Sequence, residues 1–263
     1  MRILLRSSQT EMDSSVLQPE QAPLSGVAEV VFDQEAFLEL VAERPNELTY
    51  EVCMMAVKAY PYNLEHVPAR FKTFELCLTA VALQGWALQC VPKNLRNFKM
   101  CLEAVKSNGM ALVDVPEEFF GPIRGPTKGK QLCKEACKQN GGALQATPLH
   151  LLDLNLCHIA MEARGSLKYV PMEWRSYDLC ALAVQKFASN LEYVPRQVLL
   201  EDVARGEKIL QSAARDIEVF GWVMHDEFKT PGVCMAAVKA NSESLPLVPR
   251  DRQHLFDPAP IPV

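Results

Sequence analysis

The sequence predicts an all-α protein, and more narrowly a right-handed-type helical-repeat solenoid of about eight short helix and helical-turn units. Three observations support this prediction. One short phrase recurs around seven cysteines, its period is close to 24 residues, and a residue that favours a helix start stands four positions before each cysteine. We call the stretch of chain around one such cysteine a unit, and we count positions from that cysteine as zero.

The phrase has alanine at +3, leucine at +11 and proline at +15, and in the Cys157 unit the leucine and proline come one residue early. Its cysteines are Cys53, Cys77, Cys101, Cys133, Cys157, Cys180 and Cys234. Successive cysteines lie 24, 24, 32, 24, 23 and 54 residues apart, so the last interval spans two units and six more residues. Leu210 therefore takes the place of a cysteine in a degenerate seventh unit, which has also lost the proline.

Each unit is expected to contain one helix of about eleven residues and a shorter helical turn. A favoured N-cap residue precedes the cysteine by four positions in every unit, at Thr49, Thr73, Asn97, Gly129, Asp153, Ser176, Gly206 and Thr230. Position −1 is aliphatic, and with the cysteine, +3 and +4 it forms an apolar stripe at helical spacing. The glycines at +8 are expected to end the helix in a left-handed conformation. They are Gly85, Gly109, Gly141 and Gly165. The proline at +15 is expected to open the second turn.

The chain is expected to divide into four parts. Residues 1–26 have the Ser-, Gln- and Pro-rich composition of a disordered leader and are a candidate secretion signal. Residues 27–48 predict an N-terminal capping helix, residues 49–250 form the repeat array, and residues 251–263 are a C-terminal tail.

Two irregularities interrupt the predicted array. A loop rich in glycine and proline is expected at 121–129, where eight extra residues separate two units, and the degenerate unit occupies 206–229. Irregular places in a repeat array are either binding sites or the result of sequence drift.

Nine cysteines could indicate disulfides or zinc, and their repeat position argues against both. Seven share one helix position that is expected to be buried, where a small, soft side chain packs well. We therefore expect free thiols in a reducing, cytoplasmic compartment. A zinc site from Cys133 and Cys137 with His150 or His158 would lack the close cysteine pairs of structural zinc sites, so no metal and no cofactor is predicted.

The charge is concentrated at the amino terminus. Residues 1–50 hold three basic and nine acidic side chains, whereas the rest of the chain holds 24 basic and 23 acidic ones. A nearly neutral array argues against nucleic-acid binding, which needs an excess of positive charge on one face. The sequence has no run of about eighteen apolar residues, so no membrane span is expected.

Five of the eight residues at +5 are basic, and we call them the basic column: Lys58, Lys106, Lys138, Arg215 and Lys239. One interpretation is a solvated last helical turn, where cations suit the helix dipole. The other is a strip of positive charge that recognises an acidic partner. On the second interpretation Lys58, Lys106, Lys138 and Lys239 are candidate binding residues.

The degenerate unit supplies two further candidate binding residues. Trp222 is either an exposed anchor for a partner protein or, with Phe220, filling for a unit that has lost its cysteine. His225 begins the densest polar cluster of the chain, His225-Asp226-Glu227, which has no recognised catalytic spacing.

Two classes of function follow from these features. The first is a protein-interaction scaffold that presents an extended helical surface to a protein partner. The alternative is an enzyme whose site is assembled around Cys90, a cysteine outside the repeat position, or around the His225 cluster. An enzyme should have a deep pocket with convergent titratable groups, whereas a scaffold should have a broad groove and inert thiols.

The repeated phrase resembles an uncharacterised tandem-repeat family of short helical units. The resemblance rests on stretches such as Cys101-Leu-Glu-Ala-Val-Lys-Ser-Asn-Gly109 and Cys234-Met-Ala-Ala-Val-Lys-Ala-Asn241, and it covers about residues 49–250. Members of that family occur in some bacterial effector-like proteins, protists and large viruses. Together with the leader, the resemblance implies a bacterial effector that is secreted into the cytoplasm of a host cell.

Overall fold

The computed structural model describes residues 34–121 and 126–256, and the regular secondary structure of these residues is all helical, with no strand among them. The all-α prediction is therefore confirmed. The predicted leader, residues 1–26, and the start of the predicted capping helix lie outside the described residues. Within the described ranges no helix is long and apolar enough to cross a membrane.

Ten α-helices provide the main packing surfaces, and from α2 onward they contact one another in sequence order, α9 packing on α7. Their bounds are α1 Gln34–Glu43, α2 Tyr50–Ala59, α3 Phe74–Leu83, α4 Phe98–Ser107, α5 Pro126–Gln139, α6 Leu154–Glu162, α7 Tyr177–Lys186, α8 Arg196–Leu200, α9 Val203–Ala213 and α10 Pro231–Ala240.

Short 3-10 helices connect the α-helices, usually two between one α-helix and the next. They are Pro61–Glu65, Ala69–Phe71, Gly85–Cys90, Lys93–Leu95, Gly109–Asp114, Glu117–Phe119, Gly141–Ala146, Leu149–Leu151, Leu167–Tyr169, Met172–Trp174, Ala188–Tyr193, Asp226–Phe228, Ser242–Leu247 and Arg250–Phe256. A π-helical turn spans Val219–Val223. The proline at +15 precedes the second 3-10 helix, as Pro92 does with φ −54° before Lys93–Leu95. The unit thus has two short helical turns where the sequence predicted one.

The N-cap residues predicted at position −4 are correct in six units. The side chains of Thr49, Thr73, Asn97, Asp153, Ser176 and Thr230 each accept a hydrogen bond from the backbone N–H three residues later. The prediction is wrong for the two glycines. Gly129 lies inside α5 and Gly206 lies inside α9, where the cap is Asp202. A Cβ at Gly206 would overlap the backbone of Leu199, so glycine is required there for close packing.

The expectation that the +8 glycines end the helix in a left-handed conformation is also wrong. Among the described residues no glycine has a positive φ, and Arg164, at φ 61°, is the residue that adopts the left-handed region. The helices end instead at an extended residue such as Asn108, with φ −147°. The glycine that follows is needed because a Cβ at Gly85 or Gly109 would overlap the carbonyl oxygen of the +3 alanine in the next unit.

These close approaches allow hydrogen bonds between neighbouring units. The N–H of Gly85 donates to Ser107 Oγ at 3.0 Å, and the N–H of Gly109 donates to Gln139 Oε1 at 2.6 Å. The glycine at +8 therefore joins one unit to the last turn of the next α-helix.

The seven repeat cysteines are buried, as the sequence predicted, and all nine cysteines are free thiols. Burial raises the pKa of Cys53 and Cys180 to about 11 and that of Cys101 to about 12. The thiol of Cys234 donates to the carbonyl of Lys229 at 3.2 Å, and Cys101 contacts the carbonyl of Arg96 at 3.7 Å. The thiols are therefore neutral donors in the core.

A recurrent cation at position −5, which the sequence analysis missed, binds the backbone of its own unit and, in the case of Arg96 and Arg175, that of the preceding unit. Lys72, Arg96, Arg175 and Lys229 each donate to the backbone carbonyl eighteen residues later, which belongs to the last turn of a 3-10 helix. Arg96 makes two further bonds, to Val91 O at 2.8 Å and Gln89 O at 2.9 Å. These cations satisfy carbonyls at helix ends that would otherwise need water.

Two of the predicted segments contain helical residues. The loop expected at 121–129 is helical from Pro126, because α5 begins one turn earlier, relative to its cysteine, than α3 and α4 do. The tail expected at 251–263 begins with helical residues, since Arg250–Phe256 is a 3-10 helix.

Replacement of Gly109 by alanine should destabilise the protein by about 1–3 kcal/mol or more, because the new methyl group would overlap the Ala136 carbonyl. Gly121→Ala is the matched control, since its Cβ would lie 3.8 Å from the nearest described atom, Glu118 O. Urea unfolding of both variants measures the difference. Equal stability of Gly109→Ala and the parent would contradict the close approach.

Thiol reagents should modify the native protein slowly at pH 8. A thiol with a pKa of about 11 is ionised to only about one part in a thousand at that pH. The seven repeat cysteines are also buried and so shielded from the reagent. Cys90 should react first because it is only partly buried. Labelling with Ellman's reagent, in the parent and in Cys90→Ala, should show that this substitution removes the fastest phase. Rapid labelling of several thiols in Cys90→Ala would show that the core is open.

Candidate functional site

The structure exposes every candidate lysine of the basic column. Lys58, Lys106, Lys138 and Lys239 lie in the last turns of α2, α4, α5 and α10. Two of them are partly neutralised on their own helix. Lys106 pairs with Glu103 at 3.3 Å and Lys138 with Glu135 at 2.8 Å. Surface pairs of this kind contribute about 0–1 kcal/mol, so they do not fix the lysine side chains firmly.

Trp222 is 89% exposed, whereas Phe220 in the same π-helical turn is fully buried. The two aromatic residues therefore point in opposite directions, and the interpretation of Trp222 as core filling is wrong while that of Phe220 is right. Gly221, between them, faces Leu247, because a Cβ there would lie 3.1 Å from Leu247 Cδ1. Leu247 is itself 38% exposed, so the tryptophan projects from a partly apolar surface.

The His225 cluster is divided between two ion pairs. Asp226 pairs with Lys229 at 2.9 Å, and this bond lowers the pKa of the Asp226 carboxyl. Glu227 pairs with Arg196 at 3.0 Å. His225 itself is exposed and begins the 3-10 helix Asp226–Phe228. Each of the two carboxylates is thus paired with a basic side chain.

His225 and Glu227 line the rim of a cleft of about 370 Å³ between the Cys180 unit and the degenerate unit. The walls of this cleft are mostly apolar, with Leu199, Leu210 and Met224 among them.

Cys90 does not have the environment of a catalytic thiol. Burial first and Glu65 second raise the pKa of its thiol, against the opposing positive charges of Lys72 and Arg96. The nearby Lys72 ammonium donates to the backbone carbonyl of Cys90 at 3.4 Å, so that hydrogen bond does not stabilise a thiolate. Such surroundings disfavour the nucleophilic form.

No group of three or more His, Cys, Asp or Glu side chains that could hold a metal ion occurs in the part of the chain that the structure describes. In the zinc set of Cys133 and Cys137 with His150 or His158, which the sequence argued against, two members have other partners. His150 Nε2 lies 2.7 Å from the carbonyl oxygen of Phe120, and Thr147 is the hydrogen-bond partner that lowers the pKa of Cys137 against the larger effect of burial.

The family model described as "Domain of unknown function (DUF4116)" matches residues 49–96 and 73–120. Both matches begin at an N-cap threonine, Thr49 and Thr73, and they are offset by 24 residues, the period of the repeated phrase. Each match therefore spans two units in tandem. Comparisons with curated proteins and with solved structures returned no match.

Trp222→Ala should change the free energy of unfolding by less than about 0.5 kcal/mol, because the side chain is almost fully exposed. Phe220→Ala is the matched control, and it should cost about 3–5 kcal/mol, the usual result of truncating a buried aromatic side chain. Urea unfolding distinguishes the two. A large loss of stability in Trp222→Ala would show that Trp222 is a core residue.

Proposed function

We propose that the chain is a helical-repeat solenoid of about eight units and that it serves as a scaffold for a protein partner. The sequential contacts of α2 to α7, and of α7, α9 and α10, support the solenoid, because each helix packs mainly on its neighbours in sequence. The tandem match to a family model at a 24-residue offset supports the repeat.

The exposure of Trp222 is the observation that carries the scaffold proposal. A tryptophan that is 89% exposed leaves a large apolar side chain in contact with water, and the hydrophobic effect favours its burial by a partner. Tryptophan is also enriched among the residues that dominate binding energy at protein interfaces. The cleft rimmed by His225 lies in the same degenerate segment and could receive a side chain of the partner.

The basic column is a second part of the proposed surface. Its lysines lie on α2, α4, α5 and α10, and Lys106 and Lys138 lie on helices in direct contact. Their positive charge would increase the rate of association with an acidic partner.

The proposal includes a reducing compartment, and host-cell cytoplasm after secretion from a bacterium is our suggestion for it. Nine free cysteines support the reducing compartment. The composition of residues 1–26 supports a secretion signal.

Parallel affinity capture tests the scaffold proposal. The immobilised parent chain, Trp222→Ala and Lys106→Glu/Lys138→Glu are incubated with the same eukaryotic cell lysate, and bound proteins are quantified by mass spectrometry. At least one protein captured by the parent should fall about tenfold or more with Trp222→Ala and more modestly with the double charge reversal.

Two variants control for non-specific effects. Val113→Ala removes an apolar side chain that is 64% exposed elsewhere, and Lys134→Glu/Lys208→Glu reverses two exposed lysines outside the column. Both should capture the same proteins as the parent. If Trp222→Ala captures every protein as the parent does, Trp222 is not the anchor and the scaffold proposal loses its main support.

A further inference from the structure

The two irregular places in the array share one structural change. Most α-helices of the units begin three residues before the cysteine, as α4 does at Phe98 and α7 at Tyr177. Helix α5 begins seven residues before Cys133, and α9 begins seven residues before Leu210. The inserted residues before α5 and the degenerate unit therefore each lengthen a helix by one turn at its start.

In α5 and α9 the extra turn includes the residue at −5, and its cation lies at the surface instead of binding backbone carbonyls. In the regular units this cation precedes the helix and donates to backbone carbonyls, as Arg96 does. In α5 the −5 residue is Lys128, whose Nζ lies 5.5 Å from the centre of the Phe98 ring. In α9 it is Arg205, whose guanidinium lies 4.6 Å from the centre of the Tyr177 ring. Phe98 and Tyr177 occupy the same position, −3, of their units.

A surface cavity lies beside each of these cation–aromatic pairs, and the two cavities are built from equivalent residues. The first has a volume of about 650 Å³ and the second about 680 Å³. Lys93 and Met172 each follow the unit proline, Arg96 and Arg175 are the −5 cations, and Phe98 and Tyr177 form one wall. We call these the α5 cavity and the α9 cavity.

The two cavities differ in charge. The α5 cavity is lined by Lys93, Arg96, Lys99 and Lys128 against one carboxylate, Glu118. In the described part of the chain Lys93, Lys99 and Lys128 form no ion pair. The α9 cavity is compensated, since Glu173, Glu201 and Asp202 line it together with Arg175 and Arg205.

From this difference we propose that the α5 cavity binds an acidic segment of a partner protein. Carboxylates placed there would neutralise three exposed ammonium groups that have no counter-ion in the described protein, and the partly buried rings of Phe98 and Phe119 would contact the apolar part of the segment. The inference rests on the scaffold function proposed above, and it names both the surface and the chemistry of one partner.

A protein segment fits the cavity better than a nucleic acid does. Single-stranded nucleic acid needs open aromatic faces for stacking and a basic groove along its backbone. Here Lys128 covers Phe98, and Phe119 lies against the same ring at 6.2 Å with an interplanar angle of 56°.

A charge swap between the two cavities tests the proposal with residues that the fold already accepts. Lys93→Met/Lys99→Asp gives the walls of the α5 cavity the residues found at the equivalent repeat positions around Cys180, Met172 in the α9 cavity and Asp178 beside it. The reciprocal variant, Met172→Lys/Glu173→Asn/Asp178→Lys, places the residues of the Cys101 unit at those positions. Urea unfolding of both variants checks that they fold like the parent.

Fluorescence anisotropy at low salt measures binding of a labelled decapeptide of alternating glutamate and glycine. The controls are the same peptide with glutamine for glutamate and an oligothymidylate of about 20 nucleotides. The parent should bind the glutamate peptide, with affinity falling as salt rises, and should bind the glutamine peptide about tenfold or more weakly. The first variant should lose about tenfold in affinity, and the reciprocal variant should bind more tightly than the parent.

Three results would overturn the proposal: no binding of the glutamate peptide by the parent, unchanged binding by a folded Lys93→Met/Lys99→Asp variant, or tighter binding of the oligothymidylate. Failure here is separable from failure of the scaffold function. A chain that captures a partner through Trp222 but ignores the peptide keeps the scaffold function and loses this site. A chain that binds the peptide at the α5 cavity but captures no partner keeps this site and loses the scaffold function.

Discussion

The close approach between the glycine of one unit and the alanine carbonyl of the next is the contact on which the rest of the structure depends. A Cβ at Gly85, Gly109 or Gly141 would overlap that carbonyl, so the distance between successive helices is set by the absence of a side chain. The cysteine and the alanine of each regular unit are both fully buried on one face of the helix. The N–H of the glycine then reaches an acceptor on the next helix, at 3.0 Å in the case of Gly85 and Ser107. Size and hydrogen bonding thus select the same residues.

Close packing of short helices leaves many helix ends near one another, and their carbonyls must be satisfied. The cations at −5 and several thiols do this within a unit, and Arg96 and Arg175 also bind carbonyls of the preceding unit. Cations such as Arg96 and Lys229 thus serve the backbone. Binding functions must therefore be sought among the cations that the backbone does not use.

The surfaces that attract partner proteins in our proposals occur where the repeat is irregular. The extra turn of α5 frees Lys128 from the backbone and places it over Phe98, and the π-helical turn of the degenerate unit turns Trp222 outward. Irregularity thus adds Lys128 to the uncompensated Lys93 and Lys99 of regular units, and it exposes Trp222.

The sequence by itself determined the helical class, the 24-residue period, six of the N-caps and the burial of the cysteines, because each follows from local side-chain chemistry repeated at fixed spacing. The role predicted for the glycines at +8 was wrong. A glycine can be required for close packing against another unit or for a positive φ, and the sequence shows the same residue in both cases. It also left Trp222 open between core and surface. Only the tertiary structure decided these points, together with the starts of α5 and α9 and the cavities beside them. They depend on which side chains meet across neighbouring units, and local sequence does not encode that.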